Sequence, residues 1–600
     1  MLLLILLFSA ERSAAQSDST SLYRKIHEWS NKRKFTQWIY SGIFVPPRDE
    51  DEPPPKAPAT RRVNPFIKYK GRVVRNIQVH TFDPFGFSVD DTTKRPVSGL
   101  QGWGNALHRR TRERIARNVL IVKPMRRLDP LEVSESERVL RTQPYINDAR
   151  IEVKPVPGTR DSVDLVVLVH DRWSVVGDAE GDLSGGTVEF GERNLMGWGH
   201  SLQQELGVEI GRPQLAWNAS HEVFNIGRSY MASRTYAAIT PEQDMLGFSL
   251  NRPFYSPVAK WAGAISWNQT WSKVPVMFDT TAEQSTLVGL SPANFDTWLG
   301  RSFVLGDGQD MGSRSSNVIV AARYAQTRYA TRPPVVLDTV GYFRNSSIFL
   351  VSTGISIRQY YKERYLYRFG ASEDVPEGLL ARVVTGVRRR EAVANEPYVG
   401  LEAMRARNYE DFGYLSIGLG YGTFFREREG RDATLRANLL YFTDLRTWGK
   451  WHFRQFFRLN MVYGGSKLPT DFVDLNGDQL YGFESVTLRG TRKEVFSSET
   501  VFYAPYNFLG FRIAPVVLFG VATLGEESDA LFSGRIHSAW NVGVLVRNEN
   551  LLTSTFEITL GFYPYLPDNG SSAFLLNRFG NWSARTTDLA FPAPSAVAFN

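Results

Sequence analysis

Between about Trp173 and Pro567, apolar residues alternate with small or polar ones in runs of 8 to 14 residues, each closed by a turn, and the pattern recurs about twenty times. Leu415, Ile417, Leu419 and Tyr421 interleave with Ser416, Gly418, Gly420 and Gly422. Phe556, Ile558, Leu560 and Phe562 interleave with Thr555, Glu557, Thr559 and Gly561. Trp540, Val542, Val544 and Val546 stand against Ala539, Asn541, Gly543 and Arg547, with Leu545 the one exception. Successive side chains on a strand face opposite sides, and a strand that crosses a bilayer needs about 9 to 11 residues. The runs therefore predict a transmembrane antiparallel β-barrel, lipid on one face and water on the other. A soluble sandwich or solenoid is the alternative, but its strands run to about five or six residues and its apolar face looks into a core.

The remainder of the chain favours the membrane. Met1 to Ala10 is almost wholly apolar and leads into Ser13-Ala14-Ala15-Gln16, which reads as a signal peptide over residues 1–16 without the usual basic start. Beyond it no stretch is long and apolar enough for a membrane helix. An aromatic content of 13% beside a mean hydropathy of only -0.26 suits a barrel with aromatic girdles and a wet lumen. The net charge of +8 is spread along the chain, which gives nucleic acid no basic block to bind. There are no cysteines, so disulfides and thiolate metal sites are excluded. The eight histidines lack metal-ligand spacing, and no Gly-x-Ser-x-Gly elbow or phosphate-binding loop occurs. Neither an enzyme nor a cofactor is expected.

Three segments precede the barrel. Residues 17–45 set Tyr23, Ile26, Trp29, Phe35, Trp38 and Ile39 among Arg24, Lys25, Lys32, Arg33 and Lys34, a basic amphipathic stretch able to pack on a neighbouring domain, a partner, the membrane surface or the lumen. Residues 46–63 carry Pro46, Pro47, Pro53, Pro54, Pro55 and Pro58 around an acidic run and read as a stiff linker. Residues 64–171 read β, α, α, β, β: a strand at Arg72 to His80, helices at Asn105 to Val119 and Pro130 to Arg141 with Asp129 as N-cap, then strands at Ala149 to Lys154 and Asp161 to Val169.

That order, with the stretch Ser134-Glu135-Ser136-Glu137-Arg138-Val139-Leu140-Arg141, Pro144-Tyr145-Ile146-Asn147-Asp148-Ala149 and Val163-Asp164-Leu165-Val166-Val167, resembles a POTRA domain, the periplasmic module of the BamA/TamA superfamily of outer-membrane assembly factors. Two features of the barrel, residues 172–600, resemble the same superfamily. Phe190 to His200 resembles its early hairpin, in which Asn194, Gly197 and Gly199 form the turn. The long loop 465–491 ends in Leu488-Arg489-Gly490, which resembles the Arg-Gly motif at the tip of a loop folded into the lumen. Family members carry a Glu on the next strand, which makes Glu499 the expected lumen partner of Arg489 through paired hydrogen bonds. The Asp-x-Gly usual on the strand after it is replaced around Gly520 and Ala522, and there is room for one POTRA-like domain where most members carry several.

The resemblance implies sixteen strands, whereas the pattern counts nineteen or twenty, so that segments within 294–409 could be extracellular hairpins or halves of long strands. It implies an outer-membrane insertase or translocase of a Gram-negative-type cell, with its POTRA-like domain in the periplasm. Clients would be unfolded outer-membrane or exported polypeptides, received at an exposed sheet edge, with outer-membrane lipid and periplasmic or lipoprotein subunits as further partners. The alternatives are a two-partner-type secretion pore plugged by its N-terminal segment, an inactive structural subunit, and a passive porin.

Overall fold

The computed structural model describes residues 64–599 apart from short stretches, the longest being 277–285, 549–555 and 580–585. The expected signal peptide, basic segment and linker lie outside the described residues.

The first unit is a three-stranded sheet of β1 (Val73–Phe82), β2 (Ile146–Pro155) and β3 (Ser162–Asp171), with β3 in the centre, parallel to β1 and antiparallel to β2. A bulge between Val74 and Asn76 shifts the alternation on β1, so that Val74 as well as Ile77 and Val79 face inward, where they meet Val163, Leu165, Val167 and Val169 of β3 in one core. The helix expected over Asn105 to Val119 is two helices, α1 (Gly99–Leu107) and α2 (Glu113–Val119), because His108 to Arg112 are not helical and the run restarts only after the extended Arg112. Helix α3 (Pro130–Arg141) begins where the sequence places it: Pro130 supplies a preset φ and the Asp129 side chain accepts a hydrogen bond from Leu131 N at 2.9 Å. Nine of its residues are buried, four of them charged or polar, so its outer side is covered as well as its core side.

Among the described residues the remainder closes into a barrel of twenty strands, β4 (Val175–Gly181) to β23 (Ser571–Phe579), with consecutive strands antiparallel and β23 returning to β4. Two short pieces, Arg446–Trp448 and Asn507–Phe508, prolong the strands before them. The sixteen strands implied by resemblance are thus corrected to twenty. The segments suspected of being hairpins pair along their whole length: β11 (Thr286–Val304) has 19 residues, and β13 (Ser346–Glu363) and β14 (Glu373–Arg390) have 18 each. Strands beside the closure are short, 7 residues in β4 and 9 in β23. One wall is therefore tall and the opposite one low.

Parity decides which way the side chains face. On β16 (Gly413–Arg426) Ile417, Leu419 and Tyr421 lie exposed on the outside while Ser416 is 3% exposed. On β21 (Ile536–Asn548) and β22 (Phe556–Leu566) Trp540, Val542, Ile558 and Leu560 face out, and Asn541, Glu557 and Thr559 face in. A soluble protein does not leave so continuous an apolar band open, and lipid is the medium that covers it.

Candidate functional site

The α/β unit sits on one mouth of the barrel, called proximal here, and the contact is built from buried charge. Arg141 makes a two-pronged contact with Asp374 at the start of β14, at 2.8 and 2.6 Å, and also reaches Glu137 at 2.6 Å. Lys362 of β13 pairs with Glu137 as well. Burial alone would raise the Glu137 carboxyl, but Arg141 and Lys362 hold it below its ordinary value. Arg138 pairs with Glu135 at 2.8 Å, donates to the Tyr255 carbonyl and lies over the Tyr360 ring at 4.2 Å. Arg368, in the hairpin between β13 and β14, donates to the Asn147 carbonyl at 3.0 Å and to its side-chain oxygen. Such a set of buried pairs tolerates few alternative seatings, since a displaced partner leaves a charge stranded.

Asn194, Gly197 and Gly199, the turn expected from sequence, complete this clamp. They connect β5 (Gly185–Glu192) to β6 (His200–Glu209). Asn194 is fully buried, accepting from Gly199 N and donating to Thr111 Oγ1, both at 2.9 Å. Gly197 has φ +73°, and a Cβ there would stand 2.1 Å from the Arg110 carbonyl oxygen. The glycine thus permits both the reversal and the close approach of the α/β unit.

The edges of the three-stranded sheet are largely spoken for. On β2, Ile151 N donates to Glu137 at 3.0 Å and the Ala149 carbonyl accepts from Arg141 at 2.9 Å. On β1, Val74 exchanges backbone hydrogen bonds with Met125 and Arg126. The open edge expected to receive clients is capped at these positions by the neighbouring segments.

Two segments of the chain lie inside the barrel. The first belongs to the loop between β18 (Trp451–Gly465) and β19 (Arg492–Tyr503). Its neck is closed by reciprocal backbone bonds between Val473 and Gly490, and its inserted part is Leu480 to Phe483. The Tyr481 hydroxyl accepts from Arg458 at 2.7 Å, and Arg458 reaches Glu499 at 3.2 Å. The Tyr481 carbonyl accepts from the Tyr563 hydroxyl at 2.7 Å. At the distal end Asp568 accepts from Ser485 Oγ, Val486 N and Thr487 Oγ1, which ties the loop to the hairpin before β23.

The expected pair is therefore not formed. Glu499 does point inward and is 0% exposed, but its guanidinium is that of Arg458, a diagonal neighbour on the adjoining strand. Arg489 is exposed near the neck, over the Phe472 ring at 4.1 Å, while Gly490 is buried beside it and Leu488 packs on the cluster of Leu475, Leu480 and Phe483. An Arg four decades upstream in an alternating strand carries no motif, and only the register of β18 on β19 could have found it. Glu557 was missed too: it is 1% exposed and neither carboxylate oxygen has a hydrogen-bond partner among the described residues.

The second inserted segment is 586–599, which returns from the proximal end of β23 and runs up the lumen along the tall wall. Its lower part is anchored by side chains: Tyr360 donates to Asp588 at 2.8 Å, and Leu589 and Phe591 are 0% and 2% exposed. Its upper part reaches Tyr398 of β15 (Glu396–Tyr409) through Val597 N, and Lys467 lies over the Phe599 ring at 4.2 Å. The closing strand β23 ends at Phe579, and the Pro- and Ala-rich sequence of the stretch beyond it is compatible with an inward or an outward course.

No protein-family model matches the chain, and no curated protein matches it. Among solved structures it is similar to BamA from Haemophilus ducreyi lacking POTRA domains 1-3, with 11% identity over 85% of each chain and a TM-score of 0.34. It is also similar to CdiB from Acinetobacter baumannii, with 10% identity over 93% of this chain and 98% of that one and a TM-score of 0.36, and to CdiB from Escherichia coli, with 11% identity over 85% and 75% and a TM-score of 0.38.

Proposed function

We propose that this chain is an outer-membrane barrel that inserts or translocates other polypeptides, with its α/β unit in the periplasm acting as a POTRA-like domain. The observation that carries the reading is the clamp: a soluble domain is seated over one mouth of a lipid-facing barrel by buried ion pairs centred on Arg138 and Arg141. A passive porin gains nothing from a fixed domain across its mouth. A machine that must accept chains from the periplasm does, and it needs no cofactor or catalysis, because completing backbone hydrogen bonds and burying apolar faces in lipid drive insertion. The short strands at the closure, β4 and β23, favour a lateral opening there, since they offer few backbone bonds to break.

Export of one polypeptide through the lumen is the second reading, favoured by the two plugs that the chain itself supplies. Depletion in the native cell separates the cases. Broad loss of outer-membrane proteins supports an insertase, loss of a single exported protein supports a secretion pore, and no change in either sinks both.

A further inference from the structure

The upper part of the lumenal segment is held mainly by its backbone, with two side-chain contacts besides, Arg382 Nη2 donating to Ser595 Oγ at 3.1 Å and Lys467 over the Phe599 ring. Arg323 of β12 (Ser316–Thr331) is fixed by two hydrogen bonds to Asp296 at 2.8 and 2.6 Å, which leaves Nη1 to donate to the Pro594 carbonyl at 3.0 Å. Arg382 of β14 repeats the device: Glu402 accepts from Nη2 at 2.7 Å and Nη1 donates to the Ala593 carbonyl at 2.9 Å. Lower down, Ser356 of β13 donates to the Leu589 carbonyl at 2.9 Å, and higher up the Tyr398 hydroxyl accepts from Val597 N at 2.9 Å. Four wall side chains thus bind main-chain groups along nine residues. A carboxylate behind each arginine holds its fork in place, so little side-chain entropy is lost when a peptide carbonyl arrives. The lumen is not filled at this level, for a cavity of about 450 Å³ lies beside Ala596, Val597 and Phe599, bounded by Asp296, Arg388 and Asp432.

We infer that the inner face of β12–β15 is a binding site for an extended polypeptide, read through its backbone by Arg323, Ser356, Arg382 and Tyr398, and that residues 589–597 occupy it in cis. Backbone reading demands an extended chain and asks little of its sequence from Ala593 to Val597, whereas below it the buried side chains of Leu589 and Phe591 anchor this particular occupant. Proline and alanine fit because a proline-containing chain is extended beforehand and gives up no wall-facing N–H. The inference rests on the polypeptide-handling reading and adds to it the site where a client lies: a passing chain would replace the cis segment on the same donors. Because the cis segment acts at the high effective concentration of a tethered ligand, it also screens out weak binders.

The test uses a variant ending before Asp588, its barrel checked by circular dichroism and by heat-dependent migration on gels, and a fluorescent peptide with the sequence of residues 588–599. Saturable binding is expected by anisotropy, weakened at least tenfold by Arg323→Ala with Arg382→Ala, and kept within a few-fold by a peptide in which Ser595, Ala596 and Ala598 are permuted. A folded truncated barrel that does not bind, or binding unmoved by the two arginine changes, overturns the inference. A second arm keeps the full chain. The protein has no cysteine, and a Cβ at Gly420 would lie 3.4 Å from Val597 Cγ1, so Gly420→Cys with Val597→Cys places two thiols within disulfide reach. Oxidation is expected to abolish client insertion or export and reduction to restore it; equal activity of the two forms overturns the inference. Loss of client handling is judged separately, in the unmodified protein: if that protein handles no client while the peptide still binds, the proposed function fails and the binding site stands.

Discussion

The two segments inside the lumen are gripped in different ways. The loop tip at Leu480–Phe483 is recognised by what its side chains are: Tyr481 alone receives Arg458, and Phe483 and Leu480 fill a closed apolar cluster with Val495, Ala522 and Ala539. The upper part of segment 586–599 is recognised chiefly by what every peptide has, its carbonyls and amides, with the Ser595 hydroxyl as the added side-chain contact to a wall arginine. The first grip is specific and costly to disturb, as a part of the wall should be. The second is tolerant, which suits a place where one chain gives way to another.

The largest test of that contrast is Arg458→Ala. It takes the guanidinium away from Glu499, which is 0% exposed and keeps the Tyr481 hydroxyl at 3.4 Å, and removal of one partner of a buried pair costs about 3 to 5 kcal/mol. A clear fall in the temperature of barrel unfolding in detergent is expected, whereas Arg489→Ala, at an exposed ring contact, should cost about 0.5 to 1 kcal/mol. The reverse ranking would restore the pairing expected from sequence.

Acid separates the clamp from both lumenal grips. Burial pushes the His170 imidazole down to about 4. One of its ring nitrogens faces the Pro84 carbonyl at 3.2 Å and the other faces Asn147 Nδ2, whose amide oxygen Arg368 of the barrel holds. The unfolded α/β unit takes up this proton first, near the ordinary histidine value, so stability rises with pH across the window from about 4 to about 6.5 and is complete above it. On the order of 3 kcal/mol is lost as pH falls through that range. Limited proteolysis should show the α/β unit loosening there before the barrel does, and His170→Gln should flatten the dependence.

Gly197→Ala should come next, at about 1 to 3 kcal/mol, because the added methyl meets the Arg110 carbonyl at a positive φ. The α/β unit should become more open to protease with the barrel intact. The smallest effect is expected from Ala598→Ser on the lumenal segment, about 0.5 kcal/mol or less by thermal unfolding, since Ala598 is exposed and the neighbouring grips fall on main-chain atoms of Ala593, Pro594 and Val597. A loss as large as that of Arg458→Ala would erase the distinction between the two segments.

The sequence reading reached different depths in different places. Alternation at Ile417, Leu419 and Tyr421 and at Trp540 and Val542 was enough to orient those strands and to count about twenty of them, against the sixteen implied by resemblance. Helix α3 announced itself through Asp129-Pro130, while the break at Arg112 did not, because an extended arginine between two helical stretches leaves no composition signal. The turn at Asn194, Gly197 and Gly199 was legible as a reversal, but its second duty, letting Arg110 and Thr111 come close, depends on a domain that lies eighty residues upstream.

What the sequence determined by itself is local: side-chain parity sets which face of each strand meets lipid, and turn residues set where strands end, because both act through neighbours in the chain. What only the tertiary structure decided is who shares the lumen. Arg458 rather than Arg489 reaches Glu499, and residues 589–597 lie on Arg323 and Arg382, because these meetings depend on strand register and on the closure of twenty strands around a common interior, which no short stretch of sequence encodes.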